Sequence, residues 1–253
     1  MVSGSRLLNG KTAVITGCNR GIGKAILESY AANGAAVFAC VRRESQEFSK
    51  LIRLLSKQHS VPVIPIYFDS RKMEELKEAV QQIKNSKRNI DILVNNAGIG
   101  YNALFQMSSL DKLKEVLDVN FIAPFVFTQY LTKLMVRQKS GNIITISSTV
   151  ALDANDGKAV YGASKAALIC MTKVIASELK SFGIRANSIA PGLTDTDMLS
   201  CLPKEFILKI ENAKGQGRIA KPSEIADTAL FLASDLSAHI SGQVIRVDGG
   251  QNE

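Results

Sequence analysis

The sequence has few of the residues on which disulfide-stapled or metal-built folds depend. Its 253 residues include no tryptophan, two histidines and four cysteines. No two cysteines form a CxxC pair, and the histidines lie far from all of them in sequence. We therefore predict neither a disulfide framework nor a zinc site, and assign no metal. The residues concerned are Cys18, Cys40, Cys170, Cys201, His59 and His239.

Long hydrophobic runs are also missing. No stretch approaches the roughly 18 uninterrupted apolar residues of a membrane span, and the first residues, MVSGSRLLNGK, lack the apolar block of a signal peptide. Since 46% of the residues are hydrophobic, the chain can still bury a substantial core. We expect a cytoplasmic protein with no membrane partner.

Charge is unbalanced, with a formal net charge of +8. Basic surfaces attract nucleic acids, anionic membranes and acidic proteins alike. The densest basic clusters, 84–88 and 137–139, fall near predicted helix ends, where positive charge complements the helix dipole. Because no aromatic-interleaved patch or nucleic-acid-reading module accompanies them, we favour a solvated basic surface over nucleic-acid binding.

Short β-branched runs alternate with helical patterns along the whole chain, and no linker or repeat divides it. Such alternation predicts parallel strands buried on both faces between helices. We predict one Rossmann-like, doubly wound α/β domain over 1–253. The predicted strands are 12–16, 36–41, 61–68, 90–95, 142–147, 184–190 and 243–247.

A glycine-rich turn follows the first predicted strand. Gly17, Gly21 and Gly23 precede a helical pattern. Glycine permits a tight turn and close approach of a phosphate, and the helix start offers free N–H groups and a positive dipole end. A turn without ligand is the alternative, since one glycine triplet is weak evidence. Its place at the first strand-to-helix turn favours a dinucleotide.

The second strand indicates which dinucleotide. Proteins that prefer NAD carry an acidic residue near this strand's end, which binds the ribose 2′-hydroxyl. Here Arg42 and Arg43 follow the strand, no carboxylate appears before Glu44, and Arg20 lies in the glycine turn. Guanidinium groups suit a 2′-phosphate, so we predict NADP(H).

Further motifs extend over most of the chain. They are NNAG at 95–98, Asn120 in a predicted helix, ISS at 146–148, YGASK at 161–165 and PGLTDT at 191–196. With them the sequence resembles the short-chain dehydrogenase/reductase family. Through 176–198, 217–226 and 240–250 it is most similar to the family's 3-oxoacyl-[acyl-carrier-protein] reductases.

The resemblance implies a catalytic tetrad of Asn120, Ser148, Tyr161 and Lys165. Ser148 is preferred to Ser147 because Tyr161 lies thirteen positions after it, as the family pattern requires. It also implies that Asp69 contacts the adenine side of the cofactor and Thr196 its nicotinamide end. The candidate cofactor-binding residues are Gly17, Asn19, Arg20, Gly21, Ile22, Gly23, Arg42, Asp69, Asn96, Ala97, Gly98, Tyr161, Lys165, Pro191, Gly192, Thr194 and Thr196.

The spacing of Tyr161 and Lys165 suggests how an acid is activated. On a helix they lie one turn apart on one face, about 5 to 6 Å apart at Cβ. An ammonium at that distance is expected to lower the tyrosine pKa from about 10 by roughly 2 units. Without the glycine turn and Ser148, the pair would be read as a solvated helix surface.

Pro124 lies four residues after Asn120 in the predicted helix 110–135. Proline has no N–H, so the Asn120 carbonyl should lose its helical partner and become able to hold a water molecule. In the family such a water is thought to extend a proton relay. A kink that serves packing alone is the alternative.

Substrate and partner depend most on the resemblance. It suggests an acyl-carrier-protein partner, and Lys139 matches a basic docking position, but Phe182 stands where the family often has arginine. A loop is predicted at about 193–202. Its apolar residues, which suit an acyl chain or a plain lid, are Leu193, Met198, Leu199, Leu202 and Phe206.

Three functions remain open from the sequence. The first is NADPH-dependent reduction of 3-oxoacyl thioesters on the carrier protein. The second is oxidoreduction of another carbonyl or alcohol, such as a sugar, steroid or small ketone, with the same tetrad. The third, disfavoured by the intact tetrad, is a silent NADP-binding module. The family and the apolar faces of helices 111–135 and 160–180 suggest a homotetramer.

Overall fold

A computed structural model describes residues 6–197, 199 and 215–250. The strands within these residues are β1 (Thr12–Thr16), β2 (Ala36–Val41), β3 (Val63–Tyr67), β4 (Ile92–Asn95), β5 (Gly141–Ile146), β6 (Ile184–Pro191) and β7 (Val244–Val247). The helices are α1 (Gly21–Ala32), α2 (Gln46–His59), α3 (Met73–Asn85), α4 (Leu110–Leu117), α5 (Ala123–Gln138), α6 (Ala159–Glu178) and α7 (Pro222–Ala233).

The strands form one parallel sheet in the order β3-β2-β1-β4-β5-β6-β7. The predicted doubly wound fold is confirmed, and each predicted strand overlaps an observed one. The order reverses between β1 and β4, so the loops after these two strands diverge to opposite faces. The crevice between them is where open α/β sheets bind ligands.

Helices cover both faces of the sheet because its strands are apolar on both. Ala13 and Ile15 belong to a core shared with α1, α2 and α7. Val14, between them in sequence, belongs to the opposite core, shared with α3, α5 and α6. Alternate residues of a strand point to opposite faces, which explains why β1 is buried throughout.

The long helix predicted at 110–135 is present but irregular. Between α4 and α5, Asp118–Ile122 forms a π-helical turn, in which the Ala123 N–H donates to the Asp118 carbonyl five residues back. Pro124 supplies no N–H to the Asn120 carbonyl, so the regular helical bond is lost there. Such turns often lie at functional sites.

Two helical stretches are long and apolar enough to cross a membrane by length and composition alone, Leu110–Gln138 and Ala159–Glu178. Both pack against the sheet, where Phe127 and Leu131 of α5 and Leu168 of α6 are buried. The core that they cover therefore explains the buried part of their apolar surface, 39% and 44% of the two stretches.

A buried hydrogen bond joins α1 and α7, which pack together on the same face of the sheet. The hydroxyl of Tyr30, on α1, donates to the Ala229 carbonyl of α7 at 3.0 Å, and Tyr30 is completely buried. Burial accordingly raises the pKa of this phenol far above its usual value, so it remains a neutral donor.

We expect Tyr30→Phe to lower the free energy of unfolding by about 1 kcal/mol, since it leaves the Ala229 carbonyl without its buried donor. Urea denaturation measures the change. The control is Tyr67→Phe on β3, because the half-buried Tyr67 hydroxyl makes no hydrogen bond within the described residues. Equal stability of the Tyr30→Phe and unaltered proteins would show that the bond contributes nothing net.

Candidate active site

The glycine turn after β1 forms one wall of the candidate site. Gly17 and Gly21 have φ angles of +75° and +53°, in the left-handed region that favours glycine. A Cβ on Gly23 would lie 2.1 Å from the Gly17 carbonyl oxygen, so no other residue fits there. Asn19 and Arg20 are exposed on the turn, and Ile22 packs partly against the core.

Residues at the end of β4 hold this turn in place. The Thr16 hydroxyl accepts from the backbone N–H groups of Asn96 and Ala97 at 2.9 and 3.0 Å. The Asn96 side-chain amide donates to the carbonyls of Thr16 and Gly17, at 2.8 and 3.3 Å. The turn is thereby fixed against β4, with the start of α1 at the crevice.

The amino terminus of α1 fits a pyrophosphate. Arg20 is its N-cap residue and makes no side-chain capping hydrogen bond, and the first turn contains no acidic residue. No carboxylate of the first turn therefore binds its backbone N–H groups or neutralises the positive end of the helix dipole.

At the end of β2, Arg42 and Arg43 are exposed, as a 2′-phosphate site requires. Asp69 lies nearby after β3. It is buried and accepts from the Arg71 side chain at 3.0 and 2.6 Å, and these bonds hold its pKa at about 2. The positive charge of Arg42 lowers it further. The sequence analysis does not single out Arg71. Its position two residues after Asp69 could have indicated that the two side chains pair.

The loop after β6 passes over the glycine turn. Arg20 and Asp197 form an exposed ion pair at 2.9 Å, and a Cβ on Gly21 would lie 3.0 Å from the Thr196 methyl carbon. Hydrogen bonds hold the start of the loop in place. The Gly192 N–H donates to the Val247 carbonyl of β7, and the Thr194 hydroxyl donates to the Gly192 carbonyl. Pro191 ends β6.

The apolar residues predicted in this loop are only partly described. Leu193 and Leu199 are half-buried. Met198, Leu202 and Phe206 lie outside the described residues.

Ser148 and Tyr161 meet beside the crevice. Ser148 follows β5, Tyr161 lies in the first turn of α6, and the Ser148 hydroxyl lies close enough to Tyr161 to lower its pKa. The neighbouring Ser147 points elsewhere, since its hydroxyl donates to the Lys165 backbone carbonyl at 2.9 Å. Of the two serines, Ser148 is therefore the one whose side chain lies beside Tyr161.

Lys165 and Asn120 lie behind them, around Gly98. The buried Lys165 ammonium donates to the Ile146 carbonyl at 2.9 Å and lies 5.8 Å from the centroid of the Tyr161 ring. A Cβ on Gly98 would be 3.2 Å from Asn120 Oδ1 and 3.4 Å from Lys165 Nζ. The buried Asn120 amide accepts from the Ile99 N–H and donates to its carbonyl, at 2.8 and 2.9 Å.

The expected lowering of the tyrosine pKa is wrong. Burial raises the pKa of Tyr161 above its ordinary value, and the Ser148 hydroxyl only partly opposes that rise. Burial also lowers the Lys165 pKa to about 8. The physical reason is that desolvation penalises the charged form of each group. The Lys165 ammonium, moreover, donates its hydrogen bond to the Ile146 carbonyl. Tyr161 is thus a protonated phenol at neutral pH, a state suited to giving a proton.

The chain shares its sequence pattern with known oxidoreductases. A family model described as enoyl-(acyl carrier protein) reductase matches residues 17–252. The 3-oxoacyl-[acyl-carrier-protein] reductase FabG of Aquifex aeolicus is 38% identical over 244 residues, which cover 96% of this chain and 98% of that protein. A 3alpha-hydroxysteroid dehydrogenase of Mediterraneibacter gnavus is 34% identical over 243 residues, 96% of this chain and 97% of that protein.

Solved structures also resemble this protein over nearly its whole length. One is a Beutenbergia cavernae protein assigned as an NAD(P)-dependent gluconate 5-dehydrogenase, with NADP bound at low occupancy. It superposes with a TM-score of 0.92 at 34% identity, over 98% of this chain and 99% of that one. The chain therefore belongs to the short-chain dehydrogenase/reductase family and is an oxidoreductase acting on CH–OH and C=O groups.

Proposed function

We propose that this protein uses NADPH to reduce 3-oxoacyl thioesters carried by acyl carrier protein to the 3-hydroxyacyl form. The observation that carries the chemistry is the meeting of Ser148, Tyr161 and Lys165 beside the glycine turn. A half-buried, protonated phenol next to the crevice at the strand ends is an arrangement for carbonyl reduction. The likeness to 3-oxoacyl-[acyl-carrier-protein] reductases supports the substrate.

The residues present fit NADP(H). The glycine turn and the start of α1 would hold the pyrophosphate, since a side chain on Gly23 would fill the turn. Arg42, exposed beyond β2 where an acid would select NAD, would bind the 2′-phosphate. The NADP bound to the Beutenbergia cavernae protein supports this assignment. When bound, the nicotinamide supplies the hydride.

Side chains of this protein would then bind the substrate carbonyl oxygen and supply its proton. The Ser148 hydroxyl holds the carbonyl oxygen, on which negative charge develops, and Tyr161 donates its proton to that oxygen. Lys165 would bind the nicotinamide ribose and stabilise the tyrosinate formed. A water at the Asn120 carbonyl, left without its helical donor by Pro124, would extend the proton path to solvent.

A second substrate class has its own support. The relatives include a 3alpha-hydroxysteroid dehydrogenase and a protein assigned as a gluconate 5-dehydrogenase, both similar over nearly the whole chain. The same tetrad serves oxidation of a secondary alcohol. We therefore treat a sugar or steroid alcohol as the alternative substrate.

The carrier protein is proposed to dock on basic residues around Lys139. This residue is exposed at the end of α5, and Phe182 is 38% exposed. The two lie close together, since a Cβ on Gly183 would be 2.7 Å from the Lys139 carbonyl oxygen. The reciprocal bonds between Gln138 and Ile90, both 3.0 Å, bring the basic cluster 84–88 to the same edge. Other cations thus accompany Lys139 although Phe182 is not arginine.

We also propose a homotetramer. Large apolar side chains are exposed along α4, α5, α6 and the π-helical turn, a pattern that suits cover by another copy of the chain. They include Leu110, Ile122, Phe125 and Val174, with exposures of 42 to 62%.

The substrate and the acid are tested together. NADPH oxidation is measured with an acyl-carrier 3-oxothioester and with a panel of sugar, steroid and small ketones. We expect the thioester to be preferred, and Tyr161→Phe to lower its turnover by about 10² to 10⁴ while cofactor affinity stays unchanged. Tyr130→Phe, on α5 outside the site, is the control. Near-normal reduction by Tyr161→Phe would contradict the assigned acid, and preference for a panel ketone would favour the alternative.

Arg42→Ala should weaken NADPH binding about 10- to 100-fold, because it removes charge-assisted hydrogen bonds to the 2′-phosphate, and should barely change NADH binding. Fluorescence titration with each cofactor measures this. Arg53→Ala, on the outer side of α2, is the matched control. The unaltered protein must bind NADPH more tightly than NADH for the assignment to stand.

Lys139→Glu should raise the KM for the carrier-bound thioester and leave reduction of a small β-keto ester unchanged, since the tetrad is untouched. Salt should diminish the difference, because charge steering between exposed groups is screened over about 8 Å at physiological ionic strength. Initial rates at several salt concentrations measure it. The carrier assignment fails if the unaltered protein reduces carrier-linked and carrier-free thioesters equally well at low salt.

A further inference from the structure

A second lysine stands beside the candidate acid. Lys158 precedes Tyr161 by three residues, at the N-cap of α6. Its ammonium lies 5.9 Å from the centroid of the Tyr161 ring, almost as near as that of Lys165 at 5.8 Å. The two ammonium groups are held differently. Lys165 is bound to a backbone carbonyl in the core, whereas half-buried Lys158 donates to the Asn102 side-chain oxygen.

No carboxylate within the described residues forms an ion pair with Lys158. Its hydrogen-bond partner Asn102 is neutral, and burial lowers the Lys158 pKa with no acidic group acting against that shift. Asp153, in the same loop, has its carboxylate bound by both terminal nitrogens of Arg246, at 3.0 and 2.9 Å. A half-buried cation that forms no ion pair is costly to keep, which makes it a candidate for binding a ligand, although Asp153 and Asp156 line the same cleft.

The loop that carries Lys158 is fixed from two sides. The Ala103 N–H donates to the Gly157 carbonyl at 3.0 Å, which ties the loop to the segment after β4. At its other end, the Arg246 pair with Asp153 ties it to β7. The ammonium group therefore has a defined position relative to Tyr161, as a specificity contact requires.

Space is available next to this ammonium. A cleft of about 500 Å³ beside Lys158 has a mixed lining. It includes the apolar Leu104, Phe105 and Val150 and the polar Gln106, Asp153, Asn155 and Asp156. Such a mixed lining suits a ligand that carries polar groups on a carbon chain.

We propose that Lys158 sets substrate specificity by donating a hydrogen bond to a second acceptor oxygen, which lies on the substrate close to the carbonyl that is reduced. An ammonium has three donor hydrogens, so the bond to Asn102 leaves donors for a ligand. The oxygen belongs either to a thioester or ester carbonyl or to a carboxylate, and Lys158 favours both over a simple ketone. The inference rests on the proposed carbonyl reduction and specifies its substrate.

The test compares three ketones of similar size: a β-keto ester, the corresponding β-keto acid and a ketone with no second oxygen. In Lys158→Met we expect kcat/KM to fall about tenfold or more for the ester and the acid, mostly through KM, and much less for the simple ketone. A larger loss for the acid than for the ester identifies a carboxylate as the preferred group, and the reverse identifies the ester carbonyl.

Two further variants separate substrate binding from loop structure. Lys158→Arg, which keeps a charged donor, should restore part of the selectivity. Asn102→Ala removes the tether but keeps the ammonium, so it should preserve the preference for the ester and the acid over the simple ketone. An equal loss on all three substrates in Lys158→Met, or loss of the preference in Asn102→Ala, would overturn the inference and leave a role in loop structure.

The outcome also separates this inference from the function on which it rests. If the unaltered protein reduces the ketones and Lys158→Met keeps the same preference among them, the inference alone is wrong. If the unaltered protein reduces no carbonyl compound, the proposed function is wrong and the inference is wrong with it.

Discussion

The site depends on the close contact between the glycine turn and the end of β4. Asn96 bonds to the carbonyls of Thr16 and Gly17, and Gly23 packs where even a Cβ would overlap the Gly17 oxygen. The contact joins the two strands between which the sheet order reverses. The proposed dinucleotide site and the proposed reacting groups are thus held on one frame, and a side chain at position 23 would separate them.

Burial determines the chemistry that the frame can support. It keeps Tyr161 protonated and lowers the Lys165 pKa to about 8, so the pair at neutral pH holds a phenol next to an ammonium that can lose its charge. A phenol in this state can donate a proton, as the proposed carbonyl reduction requires. The π-helical turn ahead of Pro124 presents Asn120 to the same centre, with its amide fixed by the Ile99 backbone.

Charge is distributed between the two edges of the sheet. At the carboxyl edge, Arg42 is exposed where a phosphate would bind, and Lys158 has no acidic partner among the described residues. At the opposite edge, the cations of 84–88 and 137–139 are brought together by the bonds between Gln138 and Ile90. The net charge of +8 therefore includes cations grouped at both edges, which a fully scattered basic surface would not show.

Local periodicity predicts the strands and their parallel arrangement, and short motifs predict the glycine turn and the spacing of Ser148, Tyr161 and Lys165. Three features are evident only in the folded chain: the direction of the Tyr161 pKa shift, the ion pair between Arg20 and Asp197, and the hydrogen bond between Lys158 and Asn102. Desolvation and contacts between distant segments arise when the strand ends converge, and no local pattern encodes them.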